Sequence, residues 1–461
     1  MISPSPTRSH PLLEVPARCA PLSTIDRLAR GALARTLTRL GGGRLQVTDA
    51  DGSQEFGGSP LTDGPDFETA CPMNAAIVVH DPAFYRHAVA GGNLAIAESY
   101  FRGEWSCSDL TSLFRLFTRN IQLSDSMDRG INRLLQWPAR IYHALRANTL
   151  SGSRRNIHRH YDLGNDFFAL MLDETMAYSS GIYANGATSL YEASVEKMDR
   201  LCRKLDLRPG DQLLEIGTGW GGLAIHAAQH YGCHVTTTTI SLEQHREAAE
   251  RVERAGVADR VTLLLSDYRE LEQELRGRFD KVVSVEMIEA VGHKYLPAFF
   301  GHVSRLLRPE GTVAIQAIVM GEQRHAQYLR SVDFIQRYVF PGGCLPSVGS
   351  LVEASGRGSD LRMVHLEDFA EHYARTLFDW RQRFVDRLDD VQRLGYPTRF
   401  VRLWNYYLSY CEAGFAERYL SVAHLQFDKP GCDRDPLELT RSAADQTFVA
   451  SSRRQPQGSR S

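Results

Sequence analysis

Residues 212–226 read QLLEIGTGWGGLAIH. A short apolar run ends in closely spaced glycines and passes directly into a helix-forming stretch, the opening strand–loop–helix of a doubly wound sheet. Toward the C-terminus the alternation repeats. HVTTTTI at 234–240 precedes a helix over 243–255, RVTLLLSD at 260–267 a short helix, FDKVVSVEM at 279–287 a helix over 295–307, and GTVAIQAIVM at 311–320 closes the series. Five buried-looking strands separated by helices predict an α/β fold with a parallel sheet, its ligand crevice at the strands' carboxyl ends. Farther on, the pattern predicts a mostly helical insertion (328–337 and 347–355), a strand at 362–365 and long helices over 370–388 and 398–423.

The loop itself narrows the chemistry. Gly217, Gly219 and Gly222 satisfy G-x-G-x-x-G, so a dinucleotide site has to be weighed. Glu215, two residues before the first glycine, would oppose a pyrophosphate but suits a ligand bearing an ammonium and a sulfonium. The second strand ends in Thr239-Ile-Ser-Leu-Glu-Gln244, with no carboxylate at its tip for a ribose diol. The third ends in Ser266-Asp267-Tyr268, an acid placed to accept from an adenine amino group beside a stacking ring. These features favour S-adenosyl-L-methionine over a dinucleotide. Glycines can also serve only to let a helix pack close to a strand.

Upstream, residues 1–72 are rich in Pro, Gly, Ser and Thr and read as a poorly ordered leader with one helix-like stretch, 25–40. A small α/β accessory domain is expected over 73–125: a strand at 75–79, then a helix ending at a Gly pair (91–92), then another helix. The connector 126–160 is distinctive. Between Ile131 and His160 lie six arginines, three histidines and no acid, interleaved with Leu134, Trp137, Ile141, Tyr142 and Leu145. Such a basic amphipathic segment suits an anionic bilayer, with Arg154, Arg155 and Arg159 as candidate contacts; arginine stems covering a domain junction would look the same. A catalytic domain follows over 161–430, and a Ser-, Arg- and Gln-rich disordered tail over 431–461.

Composition sets the frame. The 461 residues carry 53 Lys+Arg against 55 Asp+Glu, a formal net charge of −2, so no global field attracts nucleic acid and none is expected as a partner. No uncharged apolar run is long enough to span a membrane and the N-terminus lacks a signal-like core, which points to the cytoplasm. The eight cysteines show no CxxC spacing and no metal site is expected. His158 and His160, two apart beside arginines, fit packing or headgroup contact better than a metal.

At HYDLGNDFF (160–168), MAYSSGIY (176–183), LLEIGTGWGGLAIHAA, TISLEQ, SVEMIEAVG and FIQRYVFPGGCLPS (334–347), the chain closely resembles the cyclopropane-fatty-acyl-phospholipid synthase family, which includes the mycolic acid cyclopropane synthases. The resemblance runs from about residue 74 to 427. It implies methyl transfer from S-adenosyl-L-methionine to a cis double bond of an acyl chain in a membrane phospholipid, through a carbocation. Aromatic walls would stabilise that cation, with Tyr178, Tyr183, Phe334, Tyr338, Tyr373 and Trp380 as candidates. In the family a bound bicarbonate acts as base, held by a Cys, a Glu and a Tyr with a His nearby. Carried over, the Glu is Glu289 and the Tyr is Tyr373, while Ser180 stands at the Cys position and Gln316 at the His position. Ala290 stands where the family usually has His.

These departures leave an anion pocket feasible but remove an imidazole, and Glu289 then offers itself as direct base if burial raises its pKa; otherwise it orients a helix terminus. For the cofactor the resemblance gives Tyr178 and Ser179 at the carboxylate end, Gly217, Gly219 and Gly221 on the loop, Thr239 and Gln244 near the ribose, and Asp267 with Tyr268 near adenine. Cys411 matches a family cysteine near the active site and reads as pocket lining. The implied enzyme works at the inner face of the cell membrane as a peripheral protein, with a homodimer left open. A non-cyclising methyltransferase giving methylene- or methyl-branched chains, and a lipid-binding relative without catalysis, remain alternatives.

Overall fold

The computed structural model describes residues 13, 19–58, 73–127 and 163–435. The N-terminal unit starts with the helix Thr24–Leu37, whose Ser23 hydroxyl accepts from the Asp26 amide while the Asp26 carboxylate accepts from the Ser23 amide, a reciprocal cap that fixes the first turn. Strands β1 (Gly43–Asp49) and β2 (Gly52–Gly57) form a hairpin and β3 (Met73–Val79) runs parallel to β1. After the helix Ala83–Phe101, β4 (Trp105–Cys107) completes a sheet of order β2-β1-β3-β4. Gly92, at φ 59°, kinks that helix where the sequence placed a stop. The helices Leu110–Arg119 and Ile121–Met127 follow.

The expected leader over 1–72 is corrected here. Residues 24–57 are a helix and a hairpin of the accessory domain, and the overlooked signal was the Asp-Ala-Asp-Gly turn at 49–52, whose Ala50-Asp51 loop joins β1 to β2. The basic connector, with Arg154, Arg155 and Arg159, lies outside the described residues.

The catalytic sheet contains β5 (Gln212–Ile216), β6 (His234–Thr239), β7 (Val261–Leu265), β8 (Phe279–Val285), β9 (Leu307–Met320), β10 (Arg362–Asp368) and β11 (Leu420–Asp428). Its order is β10-β11-β9-β8-β5-β6-β7, with β5 to β9 mutually parallel and β11 antiparallel to both its neighbours, β9 and β10, so that β10 runs with the other strands. The five expected strands are joined by β10, expected at 362–365, and by β11, which was not expected. The helix expected over 398–423 ends at Ala416, because Arg418 turns left-handed (φ 51°) and releases the chain into β11. From Ala423 to Asp428 the strand alternates Ala, Leu and Phe with His, Gln and Asp, a period-two signal that the helix expectation stopped short of. The expected tail also begins later than residue 431, since the Arg434 side chain bonds Asp428 and the Lys204 carbonyl.

The chain crosses outward in both directions from β5, toward β6 and toward β8, which makes the carboxyl ends of β5 and β8 the switch point where a ligand crevice opens. The two units share one apolar core running from Leu22 to Val422. Buried Arg402, on the helix Thr398–Ala416, donates to the carbonyls of Tyr100 and Trp105, and Glu417 pairs with Arg115 and Arg119.

Candidate active site

A cavity of about 1270 Å³ opens at this switch point. Gly217 and Gly219 line its cofactor end at φ of 104° and 53°, whereas the expected Gly221, at φ 84°, does not line the cavity and would set a Cβ against Ala248 at 3.4 Å. A Cβ on Gly219 would meet no protein atom within 4 Å, so close protein packing does not account for that glycine; it leaves backbone exposed to the cavity. Glu215 lines the same space. Its Oε2 accepts from Thr237 Oγ1 at 2.6 Å, and burial pushes its pKa up to about 8 against the hydrogen bond from Thr237 and the charge of Lys197. A carboxyl so placed is stabilised by an incoming cation, and the pocket fits a ligand that carries an ammonium and a sulfonium. Buried Lys197 donates to Ser179 Oγ at 2.7 Å, and Thr239 Oγ1 donates to Gln244 Oε1 at 3.0 Å. Tyr178, Asp267 and Tyr268 also line the cavity. Asp267 departs from expectation in one respect: its carboxylate is gripped by Arg269, through Nε at 2.8 Å and a terminal nitrogen at 2.6 Å.

The opposite wall holds the main surprise. Ser180, Gln316 and Tyr373 converge on a carboxylate, and it belongs to Glu286. Glu286 Oε1 accepts from the Ser180 amide at 2.9 Å and from Gln316 Nε2 at 2.8 Å, and Oε2 accepts from the Tyr373 hydroxyl at 2.6 Å. The residue has φ 47°, a left-handed conformation costing a residue with a Cβ about 1–2 kcal/mol, as strained positions at functional sites do. Burial raises its pKa, opposed by the three donors and by the charge of Lys197.

The expectation that these groups gather around Glu289 is therefore corrected: Ser180, Gln316 and Tyr373 all donate to Glu286, whose carboxylate stands among the donors expected for an anion. Glu289 Oε1 accepts from the Ile318 amide at 2.6 Å, its Oε2 is buried with no hydrogen-bond partner, and burial together with the charge of Glu286 pushes its pKa up to about 8. Nor is an imidazole missing. His424, opposite Gln316 across the β9–β11 ladder, donates from Nε2 to Gln316 Oε1 at 2.9 Å, which fixes the amide with its NH2 toward Glu286. Burial and the charges of Lys204, Arg200, Lys197 and His365 hold His424 far below the usual histidine pKa, so it acts as a neutral donor.

Sequence reasoning missed Glu286, Lys197 and His424. Glu286 was within reach, since it follows β8 at the switch point as Glu215 closes β5. His424 was not, because β11 itself was unread.

Between these ends the lining is aromatic. Tyr178, Phe334 and Tyr373 face the cavity as expected, joined by Phe340, Tyr407 and Phe415, with the Tyr373 and Phe415 rings stacked at 4.4 Å. Tyr183, Tyr338 and Trp380 do not line it: the Tyr183 and Tyr338 hydroxyls bond Asp379 and Glu98, and Trp380 packs behind Tyr178 at 5.2 Å. Cys411 lines the cavity with its thiol pKa pushed up by burial, the inert lining expected. The cavity continues into the accessory domain, reaching Leu37, Leu45, Ile77 and Phe117.

A seven-stranded, mostly parallel sheet with a glycine loop and an acid at the tip of β5 defines a Rossmann-like S-adenosyl-L-methionine-dependent methyltransferase. The profile of the mycolic acid cyclopropane synthetase family matches residues 149–425, and the chain belongs to that family. It is 40% identical over 373 residues to a tuberculostearic acid methyltransferase of Mycobacterium tuberculosis, covering 78% of this chain and 85% of the relative. It is 36% identical over 357 residues to a cyclopropane-fatty-acyl-phospholipid synthase of Escherichia coli, covering 77% and 88%. Among solved structures, a mycolic acid cyclopropane synthase complexed with SAH and CTAB superposes with TM-score 0.55 at 28% identity, covering 60% of this chain and 98% of its own.

Proposed function

We propose that the protein methylates the cis double bond of unsaturated acyl chains in membrane phospholipid, with Glu286 as the base that completes the reaction. The convergence of Ser180, Gln316 and Tyr373 on Glu286 carries this reading. S-adenosyl-L-methionine, when bound, supplies an electrophilic methyl carbon whose bond to sulfur breaks, the pair staying on sulfur, as the alkene π pair forms the new C–C bond. Gly217 and Gly219 would admit it, Glu215 would balance its positive charge, and Ser179 with Lys197 would meet its carboxylate. The chain is left with a cation on the neighbouring carbon. Tyr373, Phe340, Tyr407 and Phe415 surround the space where it forms, excluding water and contributing about 0.5–2 kcal/mol per ring. Glu286 then takes a proton. When that proton leaves the added methyl group and its C–H pair closes onto the cationic carbon, the product is a cyclopropane ring.

A second reading shares every step up to the cation: loss of a proton from a chain carbon beside it gives a methyl-branched alkene, and a 1,2-hydride shift that moves the cation to the methyl-bearing carbon, followed by loss of a proton from that methyl group, gives a methylene-branched chain. It is favoured by the 40% identity to a tuberculostearic acid methyltransferase and by Gln316 and Ala290 at positions where the family pattern has histidine. Incubation with methyl-labelled cofactor and monounsaturated phospholipid vesicles, followed by separation of the fatty acids by mass and retention, tests both. Label in a ring supports the first reading and label in a branch the second. An unlabelled fatty-acid fraction refutes both and leaves a lipid-binding protein.

A further inference from the structure

The helix Thr24–Leu37 works on two faces. On the inner one, Leu33 and Leu37 are buried and line the cavity. On the outer one, Ile25 and Leu28 are 65% and 71% exposed, more than any other large apolar side chain among the described residues. Arg35 lies two turns beyond Leu28 on the same stripe, and Arg39 follows the helix end. Neither arginine has a carboxylate within ion-pair distance among the described residues, whereas Arg27 and Arg30, on the flank, pair with Asp51 and Asp49. The reciprocal Ser23–Asp26 cap holds the start of the helix, so Ile25 and Leu28 are presented on a formed turn.

We propose that this outer face docks on an anionic bilayer, with Ile25 and Leu28 entering the acyl boundary, Arg35 and Arg39 meeting lipid phosphates, and the cavity lying directly behind. Charge complementarity selects the occupant, because exposed guanidinium groups with no ion pair among the described residues, set beside exposed aliphatic side chains, match an anionic interface. A patch of two large apolar side chains is far smaller than the roughly 800 Å² per partner of a stable protein interface, which disfavours a second copy of the chain. The location adds a reason: a helix lying on the membrane with its inner side lining the acyl cavity shortens the path a chain travels from bilayer to base. The inference rests on the acyl-phospholipid substrate proposed above.

The test uses the full chain and sedimentation with vesicles of equal phosphatidylglycerol and phosphatidylcholine, against phosphatidylcholine alone. The wild type is expected to bind the anionic vesicles, less so as salt rises. Ile25→Ser with Leu28→Ser, and Arg35→Gln with Arg39→Gln, are each expected to weaken binding about tenfold or more, while activity on detergent-dispersed phospholipid and the thermal shift by S-adenosyl-L-methionine stay at wild-type values. Four results overturn the proposal: a wild type that does not bind, double variants that bind unchanged, loss of all binding in Arg154→Ser/Arg155→Ser/Arg159→Ser instead, or a wild-type dimer that the apolar double variant converts to monomer. Absence of activity on dispersed phospholipid would defeat the substrate reading alone, since vesicle binding is scored without turnover.

Discussion

Two buried carboxyl groups stand at the ends of adjacent parallel strands, Glu215 closing β5 and Glu286 just past β8, and they are held in opposite ways. Glu215 has one hydroxyl donor and a pKa raised to about 8. Glu286 has three donors and a strained backbone that keeps it among them. The first is completed by a cationic ligand, whereas the second is complete within the protein. Burial alone does not assign a role to a carboxyl group; the number and direction of its donors do.

The comparison breaks most readily at Glu286. Glu286→Gln should lower kcat by about 10²–10⁴-fold, the range of a lost general base, while S-adenosyl-L-methionine still raises Tm. Unaltered turnover would refute the assignment. Glu215→Gln should do the reverse, weakening cofactor binding about tenfold to a hundredfold in a calorimetric titration while leaving kcat at saturation close to wild type. His424→Phe releases the Gln316 amide and withdraws a donor from the ionised form of Glu286. The acidic limb of the kcat profile, set by ionisation of that base, should then move to higher pH, with a loss of about tenfold or less at its plateau; His424→Asn should restore part of it. The smallest effect concerns Glu289. Its ordinary pKa of 4.5 rises to about 8 in the folded chain, so between those values the native state holds a proton the unfolded chain has released. Stability from this group is full below pH 4.5 and declines as pH rises toward 8. In Glu289→Gln, Tm measured across that window should fall less steeply.

Much of the fold was legible because β5 to β9 announce themselves by apolar runs between helical segments, and QLLEIGTGWGG joins a strand, a turn and a helix without a gap. What escaped had physical reasons. The β1–β2 hairpin sits in a polar, glycine-rich stretch where only its turn residues speak for pairing, and β11 carries His424, Gln426 and Asp428 in its buried faces, polar residues that do not advertise a central strand. At the site, Glu215 and the glycines could be read from local chemistry, and Ser180, Gln316 and Tyr373 from resemblance. Which carboxylate they serve depended on three residues of separation between Glu286 and Glu289. A left-handed turn at Glu286 swings one of them across the pocket, and no sequence period encodes that turn.

The core shared by the two sheets also bears on how the chain comes apart. Helix Leu110–Arg119 packs on Thr398–Ala416, and Glu412 accepts hydrogen bonds from both Thr111 and Arg381 in a buried cluster. Detaching the N-terminal unit would leave buried Arg402 without the Tyr100 and Trp105 carbonyls and Glu417 without Arg115 and Arg119, and would open the Leu22–Val422 core to water, so a partly unfolded form with an intact catalytic sheet has little to stabilise it. Heat or denaturant should therefore find a single cooperative transition here, and a ligand filling the cavity would tighten both units at once.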